Sequence, residues 1–171
     1  TPKIISSTKN FYQYQYVPGK LYSEIANSHN FNQFLKWSQN NLWKPTKECK
    51  QREFKQACYR FYHDKTNQRI KKFLKTRGII DKSNIINDEK IPSIKHLLKQ
   101  VDFDKLCQAK QSHFHGDFIL DNIIKTPKGF CLLDWRQDFG GLIKAGDIYY
   151  DLSKLNHNLV VNHNIINKKL F

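Results

Sequence analysis

HGDFILDNIIKTPKGFCLLD, residues His115–Asp134, is the stretch around which the chain can be read. Asp117 is followed five residues later by Asn122, and Asp134 comes twelve residues after that Asn. Gly116 lets the backbone turn sharply beside Asp117, because it has no Cβ to clash. Asn122–Lys125 and Phe130–Leu133 are two short apolar runs rich in strand formers, and Thr126-Pro127-Lys128-Gly129 parts them with turn chemistry. A hairpin of this size brings Asn122 and Asp134 together at its open ends. Both offer hard oxygen atoms of the kind Mg²⁺ takes. Asp117, one loop earlier, is placed to accept a proton from a hydroxyl.

A base, a loop Asn and an Asp after a hairpin form the layout of phosphoryl transfer in kinase-type sites. Two other readings stand beside it. Asp and Asn in a loop commonly make turns or cap helices. Alternatively, His113, His115 and Asp117 alternate and share one face of an extended segment. His-x-His-x-Asp can ligate zinc, which suits a hydrolase. Phe118 stands where a further ligand would help, and no distant His–Cys cluster completes a set; His113 then reads as a structural histidine.

HGDFILDN, then LLDWR, then GDIYYDLSKL resembles the aminoglycoside phosphotransferase / choline kinase-like superfamily, whose motifs occur in this order and at this spacing. The likeness covers His115 to about Leu155. It implies a protein-kinase-like C-terminal lobe, ATP and Mg²⁺ as cofactors, and a small-molecule hydroxyl as acceptor. Asp117 would be the catalytic base, and Asn122 and Asp134 the metal ligands. His115 and Asp147 would brace the loop, with Asp151 pairing structurally in the same region. The acceptor varies across the superfamily, so choline-like, amino-sugar, sugar and amino-alcohol compounds all stay open.

At 171 residues, 39% hydrophobic and 13% aromatic, the chain is long enough and apolar enough for one folded domain with a core. Its net charge is +14. Such a balance suits an anionic partner, and a positive field helps to hold nucleotide phosphates. It opposes a polycationic acceptor unless a local acidic pocket exists. The mixture of Lys with Asn and Ile is also what an AT-rich coding bias produces. A kinase-derived lobe that only binds, through a basic surface for nucleic acid or anionic lipid, is therefore the alternative to an enzyme, with nucleic acid the less expected partner. The cysteines at 49, 58, 107 and 131 form no C-x-x-C pair, against a zinc knuckle and in favour of reduced, buried thiols. No signal peptide and no long apolar span appear, so a cytoplasmic protein without a membrane span is expected. The chain begins at Thr1 and contains no Met, which reads as a fragment of a longer enzyme.

Along the chain, aromatic alternation over Phe11–Val17, closed by Pro18-Gly19, predicts a strand. By the resemblance, residues 1–20 hold the hinge strand between two kinase lobes, with the backbones of Gln15 and Val17 meeting the adenine. No Gly-rich loop precedes it, so the N-terminal lobe reads as absent, and residues 21–171 as a helical C-terminal lobe. A helix is predicted over 21–45, capped by Asn30, with Phe31, Phe34, Leu35, Ser38 and Leu42 on one face. A longer one over 48–76 carries Phe54, Ala57, Cys58, Phe61, Ile70, Phe73 and Leu74, opposite a Lys/Arg-rich face, and ends at Gly78. Residues 79–92 read as a surface connection and 93–109 as one or two short helices. Arg136 either touches a phosphate or pairs with Asp138. A helix over 147–161, capped by Asp147, shows the stripe Ile148, Leu152, Leu155 and Leu159, and 162–171 reads as part of a further helix. The expected class is α+β, mostly helical, with a small β-hairpin carrying the site.

Overall fold

The computed structural model describes residues 1–161 and residue 166. The further helix expected over 162–171 lies, apart from Ile166, outside the described residues. Helix outweighs strand, 44% to 19%, and the sheets are small.

In chain order, β1 (Ile4–Ser7), β2 (Tyr12–Tyr14) and β3 (Lys20–Leu21) lead into α1 (Tyr22–Ile25) and α2 (Ser28–Asn41). Next come α3 (Gln51–Tyr59), a π-helical turn (Arg60–Asp64) and α4 (Lys65–Arg77). They are followed by β4 (Asn84–Ile86), β5 (Glu89–Ile91), α5 (Ile94–Lys99), α6 (Phe103–Leu106) and β6 (Gln111–Ser112). A 3₁₀ turn (Leu120–Asn122) opens β7 (Ile123–Thr126) and β8 (Gly129–Leu132), and β9 (Gly146–Asp147) runs into α7 (Ile148–Val160). The chain divides into two compact units: Thr1–Glu48 with Lys110–Phe171, and Cys49–Ala109.

In the first unit, β7 and β8 form the expected hairpin, with Ile123 opposite Leu132 and Thr126 opposite Gly129. β3 adds a third, antiparallel strand through Leu21 and Ile124, which local patterning over two residues could not announce. The core lies under this sheet: Tyr22, Phe34, Leu42, Phe118, Leu120, Ile123, Leu132 and Leu155. Phe34 stacks on Phe118 with ring centres 5.3 Å apart, and the Phe130 ring meets Phe34 edge-on at 5.0 Å. The predicted face of α2 is the buried one at Phe34, Ser38 and Leu42. Its cap is Asn27 rather than Asn30. Asn27 Oδ1 accepts from the Asn30 N–H at 3.0 Å, and Asn30 Oδ1 accepts from the Asn27 N–H at 2.9 Å, a reciprocal box that puts Asn30 one turn inside. At the N-terminus, β1 and β2 pair antiparallel in a separate two-stranded sheet.

In the second unit, the helix expected over 48–76 is interrupted. Phe54, Ala57, Cys58 and Phe61 are buried as the pattern requires, but Phe73 is 51% exposed. The π turn inserts an extra residue, which rotates everything beyond it relative to the first half. Gly78 ends α4 at φ +62°. The surface connection at 79–92 contains the β4–β5 hairpin, turned by Asn87 and Asp88 at φ 51° and 63°. Two left-handed residues of these types make a turn whose twist suits a hairpin. Of the cysteines, Cys58 and Cys107 are buried, Cys49 and Cys131 half-buried. Among the described residues no helix is long and apolar enough to cross a membrane.

Candidate functional site

The hairpin ends meet as the spacing requires. The Leu133 N–H donates to the Asn122 carbonyl at 2.9 Å, which pins the two strands where they open. Asp134 follows at once, with φ +54°, a left-handed conformation that Asp tolerates better than most residues. Asn122 and Asp134 line one cleft of about 380 Å³ with Asp121, Leu132, Leu133 and Trp135, and β1–β2 contributes Ile4, Tyr12 and Tyr14 to it. Asn122 Nδ2 is turned to Asp117, donating to its carbonyl at 3.0 Å and to Oδ2 at 3.2 Å. Its side-chain Oδ1 accepts no hydrogen bond among the described residues. Asp134 is exposed and its carboxylate likewise makes no hydrogen bond or ion pair there. Two hard oxygen donors thus lie uncommitted on one cleft, a set that fits Mg²⁺ with phosphate and water completing its shell.

Asp117 is one hydrogen bond behind that cleft. Its Oδ1 pairs with Lys154 Nζ at 2.8 Å. Burial pushes its carboxyl up, but the bond and charge of Lys154, the Asn122 amide and the charge of Arg136 outweigh it and hold the group below the usual carboxylate range. Lys154 is one turn after Tyr150 on α7, and no local signal in the sequence joins it to Asp117, thirty-seven positions away.

The loop that carries Asp117 is clamped from two sides. Asp151, fully buried, accepts from the His115 N–H and from the Gly116 N–H, both at 2.7 Å, and from Trp43 Nε1 at 3.0 Å. Opposite, the Arg136 N–H donates to the His115 carbonyl at 3.0 Å and Arg136 Nε to the Gly116 carbonyl at 2.9 Å. Gly116 is at φ +82°, and a Cβ there would collide with the Arg136 side chain and the Phe114 ring. Asp151, one helical turn on from Asp147, thus braces this loop directly. Asp147 caps α7, accepting from the Tyr149 N–H at 2.9 Å, as its position predicts. Arg136 does not take Asp138 as its partner in any of these bonds; its Nη2 donates to the Tyr150 hydroxyl at 3.1 Å, while Asp138 accepts from the Gly141 N–H.

His115 is buried, and both ring nitrogens are engaged. Nε2 donates to the Leu133 carbonyl at 2.6 Å and Nδ1 accepts from the Asp117 N–H at 3.3 Å. Burial lowers its pKa, although these two bonds and the charges of Asp117 and Asp134 work the other way, so the ring is neutral. It ties the loop to the end of the hairpin. This geometry does not favour the zinc reading: both His115 ring nitrogens are engaged, and His113 is exposed with Nδ1 3.2 Å from the Lys144 carbonyl. No group of three or more His, Cys, Asp or Glu placed to hold a metal occurs among the described residues.

The two hinge positions are not brought to the cleft. The Gln15 N–H donates to the Lys3 carbonyl at 2.8 Å, extending the β1–β2 pairing, and neither Gln15 nor Val17 lines the cleft. Tyr12 and Tyr14 do, from the same strand. The alternation that marks Phe11–Val17 as a strand holds only over Tyr12–Tyr14, and β1, with no aromatic signal, supplies the partner. Comparison with protein-family models, with curated proteins and with solved structures finds no match to this chain.

Proposed function

We propose that this chain carries the catalytic loop of an ATP-dependent phosphotransferase acting on a small-molecule hydroxyl, in a lobe of protein-kinase-like type. The observation that carries the reading is the convergence of Asn122 and Asp134 on one cleft with Asp117 hydrogen-bonded behind it. Mg-ATP, when bound, supplies the transferable phosphoryl group and neutralises its charge. Asn122 Oδ1 and the Asp134 carboxylate are the protein atoms that would hold the metal. Tyr12, Tyr14 and Trp135 offer ring faces to the nucleobase, in place of the backbone contacts expected from Gln15 and Val17.

Asp117 orients the acceptor hydroxyl and takes its proton. A carboxylate held below its usual range is a weak base but is ionised throughout the neutral range, and orientation is the larger part of its work in phosphoryl transfer. Asp151 and Arg136 keep the loop backbone fixed, so that Asp117 has one place to be. His115 locks that loop to the strand end bearing Asp134.

The test is Asp117→Ala in the full-length protein, assayed for Mg²⁺-dependent ADP formation over a panel of hydroxyl compounds. Turnover should fall by about 10³-fold while nucleotide affinity changes less than about threefold. Turnover that survives the substitution removes Asp117 from the mechanism and the reading with it.

A further inference from the structure

Both oxygens of the Asp117 carboxylate are taken, Oδ1 by Lys154 Nζ at 2.8 Å and Oδ2 by Asn122 Nδ2 at 3.2 Å. A hydroxyl that approaches this carboxylate, whose side chain is 38% exposed, comes up beside these two partners and competes with them for its lone pairs. Asn122 is doubly bound to Asp117, through its carbonyl as well. Lys154 holds on by a single contact, and its side chain is a third exposed on a flexible stem. Lys154 is the group that yields.

Its ammonium does not go far, because α7 tethers it. It is left facing whatever is attached to the acceptor hydroxyl. Arg136 adds a second positive charge acting on the same carboxylate. The acids around them are committed elsewhere. Asp151 is spent on two loop N–H groups and Trp43, Asp147 on the Tyr149 N–H, and Asp134 and Asp121 lie on the nucleotide cleft. The acceptor side therefore presents cations.

From this we infer that the acceptor carries a carboxylate or phosphate close to its reacting hydroxyl, and that Lys154 moves from Asp117 to that anion when the acceptor binds. An ammonium at the same position would meet Lys154 head-on, so choline-like and amino-alcohol acceptors are the disfavoured class. The inference rests on the phosphotransferase reading.

The experiment uses four probes on one three-carbon skeleton with the full-length protein and Mg-ATP: glycerol, glyceric acid, glycerol phosphate and 3-amino-1,2-propanediol. The anionic probes should exceed the amino diol in kcat/KM by about tenfold or more, and the better of the two anions identifies the group Lys154 receives. Lys154→Glu should reverse the order of anion and ammonium. Lys154→Met should flatten it mainly through KM, and Lys154→Arg should restore the wild-type order, which separates recognition from folding. Preference for the amino diol, or an order unmoved by Lys154→Glu while turnover still needs Asp117, overturns the inference and leaves the phosphotransferase standing. No ADP from any probe in the presence of wild-type protein, together with no Mg²⁺-dependent nucleotide binding, overturns both.

Discussion

Helices α4 and α7 are each thirteen residues long and both carry apolar positions at helical spacing, but only α7 buries any of its residues. α4 carries the apolar positions Ile70, Phe73 and Leu74, yet none of its residues is buried. α7 shows an apolar stripe too, but its buried residues are Asp151, Leu155 and Asn158, spaced four and three apart. Two of those three are polar, and both are spent on loop backbone. Asp151 takes the N–H groups of His115 and Gly116, and Asn158 Oδ1 takes the Leu120 N–H at 2.9 Å. A turn-rich loop buried against a helix brings N–H groups that no strand or helix satisfies, and each must find an acceptor. α7 is rotated to supply acceptors, and Leu159 is left 51% exposed as a result. The hydrophobic stripe says where a helix wants to go; the loop backbone decides here where it goes.

The largest effect should follow from removing the acceptor that sets this rotation. Asp151→Ala strands three donors, the His115 and Gly116 N–H groups and Trp43 Nε1. At roughly 1–3 kcal/mol for each buried unsatisfied group, the loss is about 3 kcal/mol or more in urea unfolding. Turnover should fall as well, since Asp117 loses its fixed backbone. Asp151→Asn isolates the charge. Burial pushes the Asp151 carboxyl up to about 6, against the pull of its three donors and with Asp147 adding to the rise. The native state therefore binds this proton more tightly than the unfolded chain does. Its contribution to stability is fully present below about pH 4 and is lost as pH rises through about 6. Plotted as wild type minus Asp151→Asn, stability should fall between those limits; a flat or rising difference would mean that the carboxyl is not desolvated as described.

The comparison also shows what could be read from the chain and what could not. The β7–β8 hairpin and the meeting of Asn122 with Asp134 rest on turn residues and short apolar runs that are adjacent in sequence, so they were legible. The cap at Asp147 was legible for the same reason. The pairing of Asp151 with the loop region came from the family resemblance and not from any local pattern, and the partnerships of Lys154 and Arg136 were not legible, because they join residues far apart in sequence that only the fold brings together. Nothing local marks Arg60–Asp64 as a π turn, and so the exposure of Phe73 was hidden. The β4–β5 hairpin did leave a trace, Asn87-Asp88 between isoleucine-containing runs, which reads as a turn once strands are looked for on either side.

A smaller effect is expected where the loop meets Arg136. Gly116→Ala introduces a Cβ at φ +82°, into the Arg136 side chain and the Phe114 ring. A strained backbone position of this kind costs about 1–3 kcal/mol. The loop has a less expensive way out, which is to shift and release the Arg136 contact. If it does, the stability loss will lie at the low end and turnover will suffer more than stability. If Asp151 alone holds the loop, turnover and stability will fall in step, and Arg136 will count as a bystander.

The smallest effect belongs to α4. Phe73→Ser removes an aromatic from a helix at little change in intrinsic helix preference. Were Phe73 on a buried face, as unbroken helical spacing predicts, the cost would be about 3–5 kcal/mol, the range for Phe→Ala in a core, which Phe54→Ala should show on α3. With half its surface in water beyond the π turn, Phe73→Ser should stay within about 0.5 kcal/mol of wild type. Urea unfolding of the two variants side by side measures the phase shift directly: a large loss at Phe54 with almost none at Phe73 requires a break between them, whereas equal losses would require the helix to run through Arg60–Asp64 without one.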